Sequence, residues 1–123
     1  MSTRPRVLLV DDHPGIVRAL GRILSPECDV VGVIADGREV ADAAARLQPA
    51  VIVVDLNLPN VNGLDVCRQI TRNNALVKVI VISATADDAI RDEALAAGAS
   101  GFFHKSAASE LAVAIRRIWM ELT

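Results

Sequence analysis

The chain has 123 residues, 52% of them hydrophobic, a formal net charge of −2 at pH 7 and a pI of about 5.6. That length suits one domain, able to bury about two-thirds of its unfolded surface, and the mild acidity excludes a global attraction to nucleic acid or to anionic membrane. Mean hydropathy is high at +0.38, yet no apolar run approaches the roughly 18 residues that span a bilayer, so the apolar excess belongs to a sheet covered on both faces.

At the start, Met1-Ser2-Thr3-Arg4-Pro5-Arg6 offers two basic residues with no apolar stretch of signal-peptide length behind them, because Asp11 and Asp12 interrupt too early. A cytoplasmic protein is expected. The first strand reads Arg6 to Val10 and ends in the acidic pair. Pro14 follows, where the first turn of a helix tolerates proline, and Ile16, Ala19, Leu20 and Ile23 recur at helical spacing. A second strand, Asp29 to Ile34, leads to a stripe of Val40, Ala43, Ala44 and Leu47. The third strand, Val51 to Asp55, is an unbroken apolar run closed by one acid; Gly63 breaks the loop after it, and a weaker stripe follows at Leu64, Cys67 and Ile70. The fourth strand, Lys78 to Ser83, ends in a hydroxyl and precedes the weak stripe Ile90, Ala94 and Ala97, which Gly98 closes as a C-cap. The fifth, short and aromatic from Gly101 to His104, ends in Lys105, and a strong helix follows with Leu111, Ile115, Ile118 and Leu122.

Strands and helices that alternate without a break argue α/β with a parallel sheet, because strands buried on both faces read as continuous Val/Ile/Leu runs. Right-handed crossovers then favour the strand order 2-1-3-4-5, a flavodoxin-like (βα)5 three-layer sandwich. Residues 1–123 are read as one domain, with no repeat, linker or low-complexity stretch. Cys28 and Cys67 are far apart, lack metal-ligand spacing and sit in or beside apolar segments. Reduced, buried thiols are therefore expected rather than a disulfide.

Ligands of open α/β sheets bind at the carboxyl ends of the strands. In the order above, Asp11, Asp12, Asp55, Ser83 and Lys105 all arrive at one such edge. Carboxylates at about 4 Å repel by roughly 4 kcal/mol per pair at an effective dielectric near 20, so the cluster calls for a cation, and ligands that are all oxygen favour Mg²⁺ or Mn²⁺. Asp12 is placed to ligate directly, Asp11 directly or through a water, and the backbone carbonyl near Asn57 is a further hard ligand. A carboxylate can also serve as a nucleophile toward phosphorus, and phosphoryl transfer needs mainly positioning and neutralised oxygens. Asp55 supplies that carboxylate, Lys105 an ammonium able to pair with it before transfer and with a phosphoryl oxygen after, Ser83 a hydroxyl, and Ala84 room for entry.

The set Asp11-Asp12, Asp55 within Val-Asp-Leu-Asn-Leu-Pro-Asn-Val-Asn-Gly-Leu-Asp, Ser83-Ala84 and Gly-Phe-Phe-His-Lys resembles, over essentially the whole chain, the receiver domain of bacterial two-component response regulators. Asp11-Asp12-His13-Pro14, with Lys105-Ser106 in place of the usual Lys-Pro, looks most like the NarL/FixJ type, whose members commonly carry a C-terminal helix-turn-helix. The resemblance implies that Asp55 accepts a phosphoryl group from a sensor histidine kinase or phosphotransfer protein with Mg²⁺, that Asp11 and Asp12 are the acidic pair, and that Ser83 and Lys105 sense the group. It implies a switch across the fourth helix, fifth strand and fifth helix, a phosphorylation-dependent homodimer, and a DNA-binding output module fused outside this chain, which itself is expected to bind neither nucleic acid nor membrane. Phe102 stands at the family's switch aromatic, commonly Tyr; it keeps a ring to bury and lacks the phenolic hydroxyl. Asn57 and Thr85 match positions that modulate dephosphorylation in the family.

Taken singly these residues have plainer readings. Asp11 and Asp12 suit a helix N-terminus, Asp55-Leu56-Asn57-Leu58-Pro59 a strand running into a turn, Ser83 a cap and Lys105 a solvated surface. His13 and His104, with no partner at metal-ligand spacing, are read as incidental, and Trp119 and Met120 as packing residues. Three other functions compete: a stand-alone regulator acting through protein contacts, a haloacid-dehalogenase-type phosphatase, which expects an aspartate where Asn57 stands, and a flavodoxin-like nucleotide binder, which expects a phosphate loop rich in Gly, Ser or Thr where the acidic pair stands.

Overall fold

The computed structural model describes residues 4–85 and 87–122. In chain order the elements are β1 Arg6–Val10, α1 Pro14–Leu24, β2 Asp29–Ile34, a 3₁₀ turn Gly37–Glu39, α2 Val40–Leu47, β3 Val51–Asp55, α3 Gly63–Asn73, β4 Lys78–Ser83, α4 Asp88–Ala96, β5 Gly101–His104 and α5 Ala108–Leu122. All four neighbouring strand pairs are parallel, in the order β2-β1-β3-β4-β5. The five strands keep the bounds expected from their apolar runs. The 3₁₀ turn was not expected: Asp36 accepts the Arg38 N–H and tightens the chain before α2, as short polar side chains do at turns.

Alternation along each strand divides the core in two. Leu8, Val10, Ile52, Val54, Val79 and Val81 face α2, α3 and α4, while Val7, Leu9, Val51, Val53, Ile80 and Ile82 face α1 and α5. Phe102 packs with the first set and Phe103 with the second, one ring to each face. In α1 Ile16 and Leu20 pack on the core as expected, whereas Ala19 is exposed, Ile23 is 40% exposed and Leu24 is buried in its place. Met120 is 66% exposed. Both cysteines are free and buried, and burial pushes the Cys67 thiol up to about 11.

Two glycines let main chain approach the functional edge. A Cβ at Gly63, the first residue of α3, would lie 2.4 Å from the Asp55 carbonyl oxygen, so only glycine lets the helix begin directly behind the strand's acid. A Cβ at Gly37 would lie 2.1 Å from Val61 Cγ2 and 3.1 Å from Leu58 Cδ1. Gly37→Ala is therefore expected to destabilise by about 1–3 kcal/mol through overpacking, read as a lower urea midpoint. Val61→Ala in the same background should recover part of the loss, and an unchanged midpoint in Gly37→Ala alone would show that the contact is not tight.

Candidate functional site

Three charged or polar side chains are buried among the described residues, Asp11, Asp55 and Ser83, and each stands at or just past the carboxyl end of β1, β3 or β4. A sheet core does not bury such groups without compensation. For Asp55 the compensation is local: Oδ1 accepts the Asn57 N–H at 3.1 Å and Oδ2 accepts from Lys105 Nζ at 2.8 Å. Asp11 Oδ1 accepts the His13 main-chain N–H at 2.9 Å, and His13 Nδ1 lies 2.8 Å from the same oxygen. Asp11 Oδ2 is buried without a hydrogen-bond partner; Lys105 Nζ, 3.3 Å away, offers it charge while giving its hydrogen bond to Asp55.

Charge decides what this arrangement can hold. Oxygens of Asp11, Asp12 and Asp55 and a ring nitrogen of His13 all lie within 4.8 Å of one another. His13, read as incidental from the sequence, thus belongs to the cluster: Nδ1 is also 3.3 Å from Asp12 Oδ1 and 3.4 Å from Asp55 Oδ2. Its hydrogen bond to Asp11 raises its pKa, Lys105 opposes, and the charges of Asp11 and Asp12 add to the rise. With Nδ1–H given to Asp11, the 3.1 Å approach of Lys105 Nζ to that nitrogen is crowding of donors rather than a hydrogen bond. Burial works against the Lys105 ammonium, but its hydrogen bond to Asp55 and the charges of Asp55 and Asp11 outweigh this and raise its pKa. Three carboxylates against one ammonium and one exposed imidazole, with one buried oxygen unpartnered, fit a hard divalent cation such as Mg²⁺ or Mn²⁺.

The remaining expected residues border the cluster. Asn57 and Asp12 line an open depression of about 590 Å³ with Leu58, Pro59, Asn60 and Asn62. Ser83 Oγ accepts the Thr85 N–H at 3.1 Å and lies 3.3 Å from Thr85 Oγ1, while Ala84 and Thr85 are exposed beside it. The plainer cap readings fail for two of them: α1 is preceded by His13, with no side-chain cap bond, and α4 is capped by Asp87 rather than Ser83. His104 was also read as incidental, yet its ring bonds to Ala84 and Ser106. Neither histidine shows helical metal-ligand spacing, because each acts across a turn or between two loops.

The family model for the response regulator receiver domain matches residues 7–116. The DNA-binding transcriptional activator DevR/DosR of Mycobacterium tuberculosis is 41% identical over 120 residues, covering 92% of this chain and 54% of that protein. The transcriptional regulatory protein LiaR of Bacillus subtilis is 37% identical over 114 residues, covering 90% of this chain and 54% of that protein. Among solved structures, a LuxR-family two-component response regulator from Aurantimonas sp. SI85-9A1 superposes with a TM-score of 0.89 at 30% identity, covering 97% of this chain and 87% of that one. The chain spans about half the length of the curated relatives it matches.

Proposed function

Since the chain belongs to the family of response regulator receiver domains, we propose that Asp55 accepts a phosphoryl group from a sensor histidine kinase or a phosphotransfer protein in a Mg²⁺-dependent reaction. One observation carries this reading: a fully buried carboxylate at the end of the central strand, held by Lys105 at 2.8 Å and flanked by Asp11 and Asp12. An Asp55 oxygen attacks phosphorus, the O–P bond forms as the N–P bond of the donor phosphohistidine breaks, and the donor nitrogen keeps the electron pair. Asp11, Asp12, Asp55 and the Asn57 carbonyl would hold the Mg²⁺, or Mn²⁺, whose charge neutralises oxygens of the transferring group. Lys105 passes from the carboxylate to a phosphoryl oxygen, Ser83 donates its hydroxyl to another, and Ala84 and Thr85 border the path of entry.

The added group brings about −1.5 to −2 charge. In this reading the loops after β4 and β5 draw toward it, Phe102 changes its packing, and the face of α4, β5 and α5 becomes a surface for a second copy. Each relative named above is called a transcriptional activator or regulatory protein, which supports a DNA-binding output joined to this domain and a cytoplasmic place of work. A phosphatase of the haloacid-dehalogenase type is not favoured, with Asn at position 57 and a receiver family match over residues 7–116.

Incubation with acetyl phosphate and Mg²⁺ should add one phosphoryl mass, removable by hydroxylamine as an acyl phosphate; no uptake, or a product stable to hydroxylamine, would sink the reading. Asp12→Ala should slow that uptake about 100-fold at equal Mg²⁺ by removing one charged ligand, of the order a metal ligand contributes. A rate equal to the parent's would remove Asp12 from the assignment.

A further inference from the structure

β4 and β5 end side by side, with Ser83 opposite His104 in the register. The last main-chain bond between them runs from the Lys105 N–H to the Ser83 carbonyl at 2.9 Å. Beyond it the side chain of His104 takes over: Nε2 lies 2.9 Å from the Ala84 carbonyl oxygen. The other ring nitrogen receives the Ser106 main-chain N–H at 3.1 Å and lies 2.6 Å from the Ser106 hydroxyl. A ring nitrogen that accepts from an N–H carries no proton of its own, so the proton of the neutral ring sits on Nε2 and is donated to Ala84. One imidazole therefore joins the loop after β4 to the turn after β5.

Both ends of that tie bracket residues of the site. Ala84 lies between Ser83 and Thr85, whose N–H bonds to Ser83 Oγ, and Lys105 lies between His104 and Ser106. Ala84 and Thr85 are exposed and outside the sheet, where main chain relies on local bonds such as these. We infer that His104 is a positioning residue, holding the Ser83–Thr85 loop and the Lys105 turn together as one body so that the hydroxyl and the ammonium keep their mutual spacing as they move toward an arriving phosphoryl group. The inference rests on the reading of Asp55 as phosphoacceptor. Without the tie the loop would surrender backbone freedom at every binding event, which weakens binding without removing any contact to the ligand.

The test is an NMR titration with beryllofluoride at saturating Mg²⁺ on the parent, His104→Leu, His104→Gln and Ser106→Ala, with the Mg²⁺ affinity of each measured beforehand without fluoride. His104→Leu is expected to bind beryllofluoride about fivefold more weakly, the equivalent of one net hydrogen bond, while His104→Gln, whose amide can donate to the same carbonyl, stays within about twofold of the parent. Ser106→Ala, on an exposed turn, should fall between them and serves alone if His104→Leu does not fold. Ring ¹⁵N shifts of the parent should identify Nε2 rather than Nδ1 as the protonated nitrogen of the neutral ring, and Mg²⁺ affinity should be the same in all four proteins. Equal beryllofluoride affinity in parent, His104→Leu and Ser106→Ala would overturn the inference while leaving the reading of Asp55 intact. So would a parallel loss of Mg²⁺ affinity, which marks general damage. Absence of binding to the parent itself would overturn the phosphoacceptor reading and this inference with it.

Discussion

Asp55→Asn will take up no phosphoryl group from acetyl phosphate or a phosphohistidine donor, even at saturating Mg²⁺. The loss is complete rather than graded because the substitution removes the nucleophile and not merely a charge that stabilises it. The fold should survive: an amide oxygen can still accept the Asn57 N–H, Lys105 remains 3.3 Å from Asp11, and the substituted side chain keeps its volume in a fully buried position. Mg²⁺ should bind more weakly, since one carboxylate of the cluster is gone. Intact-mass analysis of parent and variant side by side, with far-UV circular dichroism to establish folding, decides the matter. Undiminished phosphate on the folded variant would place the acceptor elsewhere, with Asp11 and Asp12 the next carboxylates to examine.

The two levels of this molecule were unequally legible in its sequence. Strand bounds and strand order followed from runs such as Val51-Ile52-Val53-Val54 and from the handedness of crossovers, because a strand covered on both faces has nothing polar to blur its ends. The meeting of Asp11, Asp12, Asp55 and Lys105 followed from the same order, since each closes a strand. Helix faces were less legible where stripes were mixed: in α1 the choice between Ile23 and Leu24 depends on how α5 lies against the helix, which spacing along α1 does not encode. The histidines were missed for a different reason. His13 reaches Asp11 because the chain turns at the head of α1, and His104 reaches Ala84, 20 residues earlier, across the gap between β4 and β5. A search for regular spacing between ligands finds neither. The 3₁₀ turn was hidden because it rests on one Asp36 side chain satisfying the Arg38 N–H.

Lys105→Ala will lower the stability of the metal-free protein and at the same time tighten its grip on Mg²⁺. The Lys105 side chain is 10% exposed and faces two carboxylates that are almost wholly buried, Asp55 at 2.8 Å and Asp11 at 3.3 Å. Removing one member of a buried ion pair leaves the other charge uncompensated, at a cost of about 3 kcal/mol, the low end of the usual range because His13 still bonds to Asp11. The raised Lys105 pKa fixes the pH window of that contribution. A cation whose folded pKa lies above its unfolded value stabilises fully below the unfolded value, ordinarily 10.5, and the effect fades as pH rises through the folded one. The part of the variant's deficit that belongs to the ammonium should therefore be undiminished up to about pH 9 and shrink only in stronger alkali. The metal responds in the opposite sense, because the ammonium that held the carboxylates no longer competes for them or repels the dication. Unit charges at about 4 Å interact by roughly 4 kcal/mol at an effective dielectric near 20, so relief of even a third of that repulsion tightens Mg²⁺ binding about tenfold. Excess Mg²⁺ should then restore much of the lost stability by binding the folded state alone. Urea unfolding of parent and variant with and without Mg²⁺, together with a Mg²⁺ titration, measures both effects. A variant as stable as the parent without metal, or one that binds Mg²⁺ more weakly, would show that Lys105 is not the cation that balances Asp55 and Asp11 in the resting site.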